Sequence, residues 1–222
     1  MQGGKANLKK NLSQMKNRAG KIIEVFRNTY GNAECSLDFT TPLELLIATQ
    51  LAAQCTDARV NLVTPALFRK YPDAYAFAFA DEIELQEMIR SCGFYKNKAK
   101  NIKACSQMIL KEFDGKVPEN MNDLQRLPGV GRKSANVVML EAFHNPQGIA
   151  VDTHAKRISN RVGFSSQVDP EKIEQDLLKQ FPKEAYYDVN HLLVWHGRKI
   201  CDSRKPMCKE CPIKEYCNEF KK

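Results

Sequence analysis

An all-α fold of roughly ten helices is what this sequence predicts, on three kinds of observation. Helix-start signals recur along the whole chain, apolar residues return at three- and four-residue spacing, and the only extended candidate, Ile149–Val151, is too short to build a sheet. At 222 residues the chain can bury a substantial core. Thr41-Pro42-Leu43-Glu44 reads as an N-cap, a proline at the first helical position and a capping-box glutamate, opening an apolar run from Leu45 to Ala53. Asp57 is expected to cap the next helix and Pro65 to break it, with Thr64 capping a short continuation toward Lys70. Asp81 opens a segment that Gly93 stops. A longer helix follows, with Ile102, Cys105, Ile109 and Phe113 on one face and Gly115 at its end. Asn120 caps a short helix through Leu127, and another runs from Arg132 to before Pro146. Later helices begin near Thr153, at Asp169-Pro170-Glu171 and around Glu184, the last reaching about His196. No internal repeat or linker-like stretch interrupts this pattern.

Charge narrows the partner. The formal net charge is +8, which favours a polyanion. Residues 1–27 hold seven Lys or Arg against the single acid Glu24. Lys96, Lys98, Lys100 and Lys103 follow one another without an acid, and Arg198, Lys199, Arg204, Lys205 and Lys209 face only Asp202. Each cluster alone reads equally as a solvated face. No apolar run approaches the ~20 residues of a membrane span, and the basic N-terminus lacks the hydrophobic core of a secretory signal. An intracellular protein is expected, in which Cys35, Cys55, Cys92 and Cys105 are buried thiols.

Chemistry concentrates in three places. Leu127–Lys133 reads Leu-Pro-Gly-Val-Gly-Arg-Lys: Pro128 pre-sets its φ, and Gly129 and Gly131 permit a tight turn whose amides can hold an anion at a helix start. The bland alternative is a plain helix connection, weakened by the adjoining Arg132 and Lys133. Val151-Asp152-Thr153-His154 places a carboxylate nineteen residues beyond that lysine; taken alone, Asp152 is a helix cap. Cys201-x6-Cys208-x2-Cys211-x5-Cys217 is metal-ligand spacing. Four thiolates suit structural zinc or an iron–sulfur cubane, although zinc modules more often use two C-x2-C pairs and only one occurs here.

These motifs resemble the helix–hairpin–helix DNA glycosylases of the endonuclease III family. The hairpin, Ala135-Asn136-Val137-Val138, Ala150–His154, Leu45–Ala48, Ala53-Gln54-Cys55-Thr56-Asp57, His196-Gly197-Arg198 and the terminal cysteines carry the likeness, over roughly residues 19–220. The resemblance implies two closely packed helical domains with the active site in the cleft between them. One is a six-helix barrel at 35–146 carrying the hairpin near 121–143. The other joins 1–34 to 147–222 and holds a [4Fe–4S] cluster on Cys201, Cys208, Cys211 and Cys217. It implies a glycosylase and abasic-site lyase for oxidised pyrimidines in duplex DNA, in which Lys133 attacks C1′ and forms a Schiff base, with strand cutting by β-elimination. Asp152 aids the nucleophile and steadies the charged sugar, while Gly129, Val130 and Gly131 hold phosphate. The target nucleotide must leave the stack. The likeness places Gln54 opposite the orphaned base and Phe94 as a wedge, where many relatives carry leucine; without it Gln54 is a polar helix end and Phe94 a core aromatic. Arg204 and Lys205, on the loop the cluster braces, would meet phosphates. A monomer in the cytoplasm, with the nucleoid DNA, is expected. Rival readings are a mismatch-specific thymine glycosylase, the adenine branch (which Lys133 and the stop at Lys222 disfavour) and a non-catalytic DNA-binding module.

Overall fold

The computed structural model describes residues 2–31 and 33–220, with side chains from Leu12 onward. Eleven α-helices and no strand occur among the described residues. The chain divides into two compact units: residues 1–34 with 148–222, and residues 35–147.

The second unit is built from α2 (Pro42–Leu51), α3 (Asp57–Lys70), α4 (Ala74–Ala78), α5 (Glu82–Met88), α6 (Tyr95–Glu112), α7 (Met121–Arg126) and α8 (Arg132–Glu141). Most start as their sequence dictates. The side chains of Thr41, Asp81 and Asn120 accept the N–H three residues on, which satisfies donors a helix start would leave orphaned. α2 is buried from Leu45 through Leu51 and splits the core. Leu45 and Leu46 pack with Cys105, Ile109 and Leu124 on one side, while Ile47 and Leu51 pack with Leu67, Phe77 and Ile102 on the other.

Two expectations fail in α3. The helix runs unbroken through Pro65, and its cap is Thr56, which accepts from the Arg59 N–H, rather than Asp57, which lies in the first turn. A proline inside a helix costs about 3 kcal/mol. Burial of Val60, Thr64 and Leu67 on one face spans the proline and offsets that cost. The short α4, which the sequence reading does not place, rests on α6 with Phe77 buried.

The first unit joins α1 (Gln2–Tyr30) to α9 (Thr153–Val162), α10 (Pro170–Gln180) and α11 (Tyr186–Lys199). Ala19, Ile22, Ile23 and Phe26 bury one stripe of α1 against Ile158, Leu177, Val189 and Leu193. α11 starts later and runs further than expected, reaching Lys199 rather than His196. Ile149–Val151 forms no strand. Its amides go to side chains instead, Ile149 N to Glu174 Oε1 at 3.3 Å and Ala150 N to Asn190 Oδ1 at 2.6 Å, so the buried backbone is satisfied without a sheet.

Candidate functional site

The hairpin joins α7 to α8. Leu127 and Val130 are buried, while Gly129 and Gly131 are exposed, so the apolar residues pin the loop and the glycines face outward. Gly129 is in the left-handed region at φ +78. A Cβ there would stand 2.7 Å from Gln50 Oε1 and 2.9 Å from Asn101 Cβ, so glycine is required on both backbone and packing grounds. Gln50 and Asn101 belong to α2 and α6, so the hairpin is seated on both helices. Gly131 occupies the N-cap of α8 and offers no side-chain acceptor. A helix start without a side-chain cap is a place where an anion can bind. Lys133 is exposed on that first turn, and its amine has no hydrogen bond or ion pair among the described residues.

Gln54 and Phe94 sit on two turns of the same unit. Gln54 lies between α2 and α3, exposed, with φ +54. Phe94 immediately precedes α6, with φ +48, and is 63% exposed. The reading of Phe94 as a core aromatic is therefore wrong. Non-glycine residues rarely hold a left-handed backbone, which costs roughly 1–3 kcal/mol and is kept where surrounding structure enforces it. Lys98 is bonded close to both turns. The basic run 96–103 reads in sequence as a solvated or DNA-facing cluster, but Lys98 is only 6% exposed. Its amine donates to Leu51 O at 2.7 Å and Cys92 O at 2.9 Å. Lys103 is also engaged, donating to Ala80 O at 2.8 Å, while Lys96 and Lys100 remain exposed. The signal for Lys98 was present: it shares the α6 stripe of Ile102, Cys105 and Ile109, at offsets of four, seven and eleven. A lysine on an apolar stripe must find acceptors.

In the first unit, Asp152 is half-buried at the start of α9. Its Oδ1 accepts from Ala155 N at 2.7 Å, and Oδ2 has no partner among the described residues. Capping and chemistry are thus compatible, since one oxygen holds the helix and the other is left over. Lys133 belongs to the second unit and Asp152 to the first.

α11 leads directly into the cysteine loop. Cys201, Cys208, Cys211 and Cys217 line one cavity of about 90 Å³, together with Arg161, His196 and Ile213. No three His, Cys, Asp or Glu side chains among the described residues are placed to hold a single metal ion. One water needs roughly 10–15 Å³ of such space, so the cavity beside the four cysteines has room for a group of several atoms. Polar neighbours face the sulfurs: Arg161 Nη1 donates to Cys201 Sγ at 3.3 Å, and His196 Nε2 lies 3.7 Å from Cys211 Sγ. Burial, aided by Arg157, pushes His196 down to about 4, so its imidazole is neutral at pH 7. Tyr30 Oη lies 2.6 Å from Nδ1, the other ring nitrogen. Arg161 also donates to Asp202 O at 2.6 Å and Ser203 O at 2.8 Å. Asp202 Oδ1 then accepts the backbone N–H groups of Arg204 and Lys205, at 2.8 and 3.0 Å, which leaves both basic side chains exposed on the loop. Arg157 ties this loop to α9, donating to Cys201 O at 3.1 Å and Gly197 O at 2.9 Å beside His154.

Comparison with known proteins agrees with these motifs. Residues 47–183 match the model of the HhH-GPD superfamily base excision DNA repair proteins. Endonuclease III of Synechocystis is 48% identical over 212 residues, covering 96% of this chain and 97% of that protein. The chain belongs to the endonuclease III family. Endonuclease III of Bacillus subtilis is 43% identical, across 96% of this chain and 95% of its own. A solved endonuclease III–DNA complex, a trapped covalent intermediate with an estranged adenine, superposes with a TM-score of 0.88 at 41% identity, covering 93% of this chain and 97% of that one. The helical architecture is thus that of endonuclease III.

Proposed function

We propose that this chain is a bifunctional DNA glycosylase and abasic-site lyase that removes oxidised pyrimidines from duplex DNA. The observation that carries the reading is Lys133, an unengaged amine on the first turn of a helix whose own amides are uncapped, within a family of base-excision repair proteins. The α8 amides and the outward face of Gly129–Gly131 hold a backbone phosphate. Lys133 Nζ, once it has lost its proton, attacks C1′, and the bonding pair to the base departs with the base. The secondary amine then becomes an imine as the sugar ring opens. Loss of a C2′ proton expels the 3′ phosphate, which cuts the strand. Asp152, through the oxygen not spent on Ala155, steadies positive charge on the sugar. Gln54 fills the space left by the extruded nucleotide, and Phe94 wedges the adjacent stack. Arg204 and Lys205 contact phosphates, in keeping with the +8 charge. No helix among the described residues is long and apolar enough to cross a membrane. A monomer acting on cytoplasmic, nucleoid DNA fits a chain that carries both Lys133 and Asp152.

The cysteine loop fits a [4Fe–4S] cluster, because Cys201, Cys208, Cys211 and Cys217 line one cavity and four thiolates are the ligand set of a cubane, while zinc modules more often use two C-x2-C pairs. Cys201, Cys208, Cys211 and Cys217 would hold it. Such a cluster, when bound, cross-links four points of the loop that presents Arg204 and Lys205. Brown protein containing iron and acid-labile sulfide is expected on purification; colourless protein containing zinc would overturn the assignment.

Borohydride trapping on duplex DNA with one abasic site tests the enzyme itself. A covalent adduct forms, and peptide mass mapping places it on Lys133. Tight DNA binding with no adduct would instead identify a non-catalytic clamp.

A further inference from the structure

The Gln54 and Phe94 turns are far apart in sequence and share one fastening. α2 ends at Leu51, and a 3-10 turn at Arg90–Cys92 ends just before Gly93 and Phe94. In a continuing helix the carbonyl of Leu51 would accept from the N–H of Cys55, and that of Cys92 from Lys96. Neither does so. Cys55 N bonds Ala52 O at 3.1 Å instead, and both carbonyls accept from the buried Lys98 amine. One ammonium therefore takes the acceptor that would otherwise let the helix run on, at two places at once. Gln54 lies three residues beyond the first carbonyl and Phe94 two beyond the second, and both are left-handed. No other non-glycine positive φ occurs between them among the described residues. Lys98 itself is fixed at the start of α6, its N–H bonding Phe94 O at 3.0 Å.

We infer that Lys98 is a positioning residue for base extrusion, clamping the Gln54 and Phe94 turns in register so that both side chains enter the duplex together. This rests on the reading of those two residues as the ones that enter DNA. The fastening explains why a lysine occupies an apolar stripe. A methionine would fill the volume but leave two buried carbonyls without a donor, and each turn would then relax toward ordinary helical backbone.

The test uses full-length, metal-loaded protein and two substrates. Duplex DNA with one oxidised pyrimidine requires extrusion; single-stranded abasic DNA does not, because its sugar is already accessible. Lys98→Met is expected to slow single-turnover base excision on the duplex by about tenfold or more, while borohydride trapping on the single strand stays within about twofold of wild type. A fluorescent base analogue beside the lesion should report slower unstacking by a similar factor. Lys98→Arg keeps the charge and donors on a different length and should lose about threefold on the duplex alone. If Lys98→Met does not fold, Lys98→Arg carries the test, with the same contrast between substrates expected. Equal losses on both substrates, or no loss on the duplex, would overturn the clamp.

The doubly substituted Gln54→Ala/Phe94→Ala protein separates the two layers. If it is impaired and Lys98→Met is not, the reading of the insertion residues stands and the clamp fails. If it performs as wild type, the reading itself fails and the clamp with it. If both are impaired, adding Lys98→Met to the double variant should cost little more, because the side chains it positions are gone. A full additive loss would assign Lys98 to general stability and overturn the proposal.

Discussion

Helices α8 and α9 start in opposite ways. α9 begins with Asp152, whose carboxylate spends one oxygen on the Ala155 amide. α8 begins with bare Gly131, and no side chain caps its start. Capping is the habit elsewhere, since a side chain closes the start of α2, α3, α4, α5, α7 and α10. Among the described residues three helices lack such a cap, α6, α8 and α11, and α8 alone of the three starts at a glycine. Leaving a start open forgoes roughly 0.5–2 kcal/mol of local stability, and at α8 a bound phosphate is the partner that would offset it. At α9 one oxygen of a single carboxylate holds the helix start and the other is left over. Helix starts can therefore be sorted by whether their donors are satisfied internally or kept for a ligand.

Substitutions at the two starts break or sharpen that contrast. The largest effect is expected at α8: Lys133→Gln should abolish the borohydride adduct and lower strand cutting by on the order of 10³-fold or more, with DNA affinity nearly unchanged. At α9, Asp152→Asn should lower single-turnover excision by about 10²-fold through loss of charge, yet hold the melting temperature, because asparagine caps as well as aspartate. Asp152→Ala should lose the same activity and about 1 kcal/mol of stability in addition. Equal thermal stability of the two variants would show that the cap contributes nothing. Gly129→Ala should cost about 1–3 kcal/mol in denaturant unfolding, since its Cβ meets Gln50 and Asn101 and its φ is positive. The smallest effect belongs to Gly131→Ala. A Cβ there meets nothing within 4 Å, so stability should stay within about 0.5 kcal/mol. Its affinity for abasic duplex should fall several-fold, about a kcal/mol, as the methyl crowds the approaching phosphate. Unchanged affinity would remove the hairpin from the phosphate site.

The all-helical architecture was legible because most helix starts here are written in local chemistry. Thr41, Asp81, Asn120 and Asp169 are capping residues in sequence and in structure. Failures came where packing outweighs local preference. Pro65 is a breaker by its ring alone, and only the buried face of Val60, Thr64 and Leu67 keeps α3 continuous. The hairpin, Asp152 and the four cysteines were legible as motifs, each with a plainer structural or chemical alternative that the family resemblance, and not the spacing alone, disfavours. The left-handed backbones of Gln54 and Phe94 were not, because neither residue type favours that region and the nearest fastening is made by a lysine elsewhere in the chain. Lys98 itself was misplaced by counting charge along the sequence instead of asking which face of α6 it occupies.

Arg157 has a consequence for damage at the terminal loop. Its guanidinium grips the carbonyl of the first cysteine and the α11 backbone at Gly197, where a Cβ would strike His154 at 2.9 Å. That grip falls a little over one turn from the carboxylate that opens the same helix. Under the reading proposed above, damage to the cysteine loop would reach the helix that Asp152 opens through this one side chain.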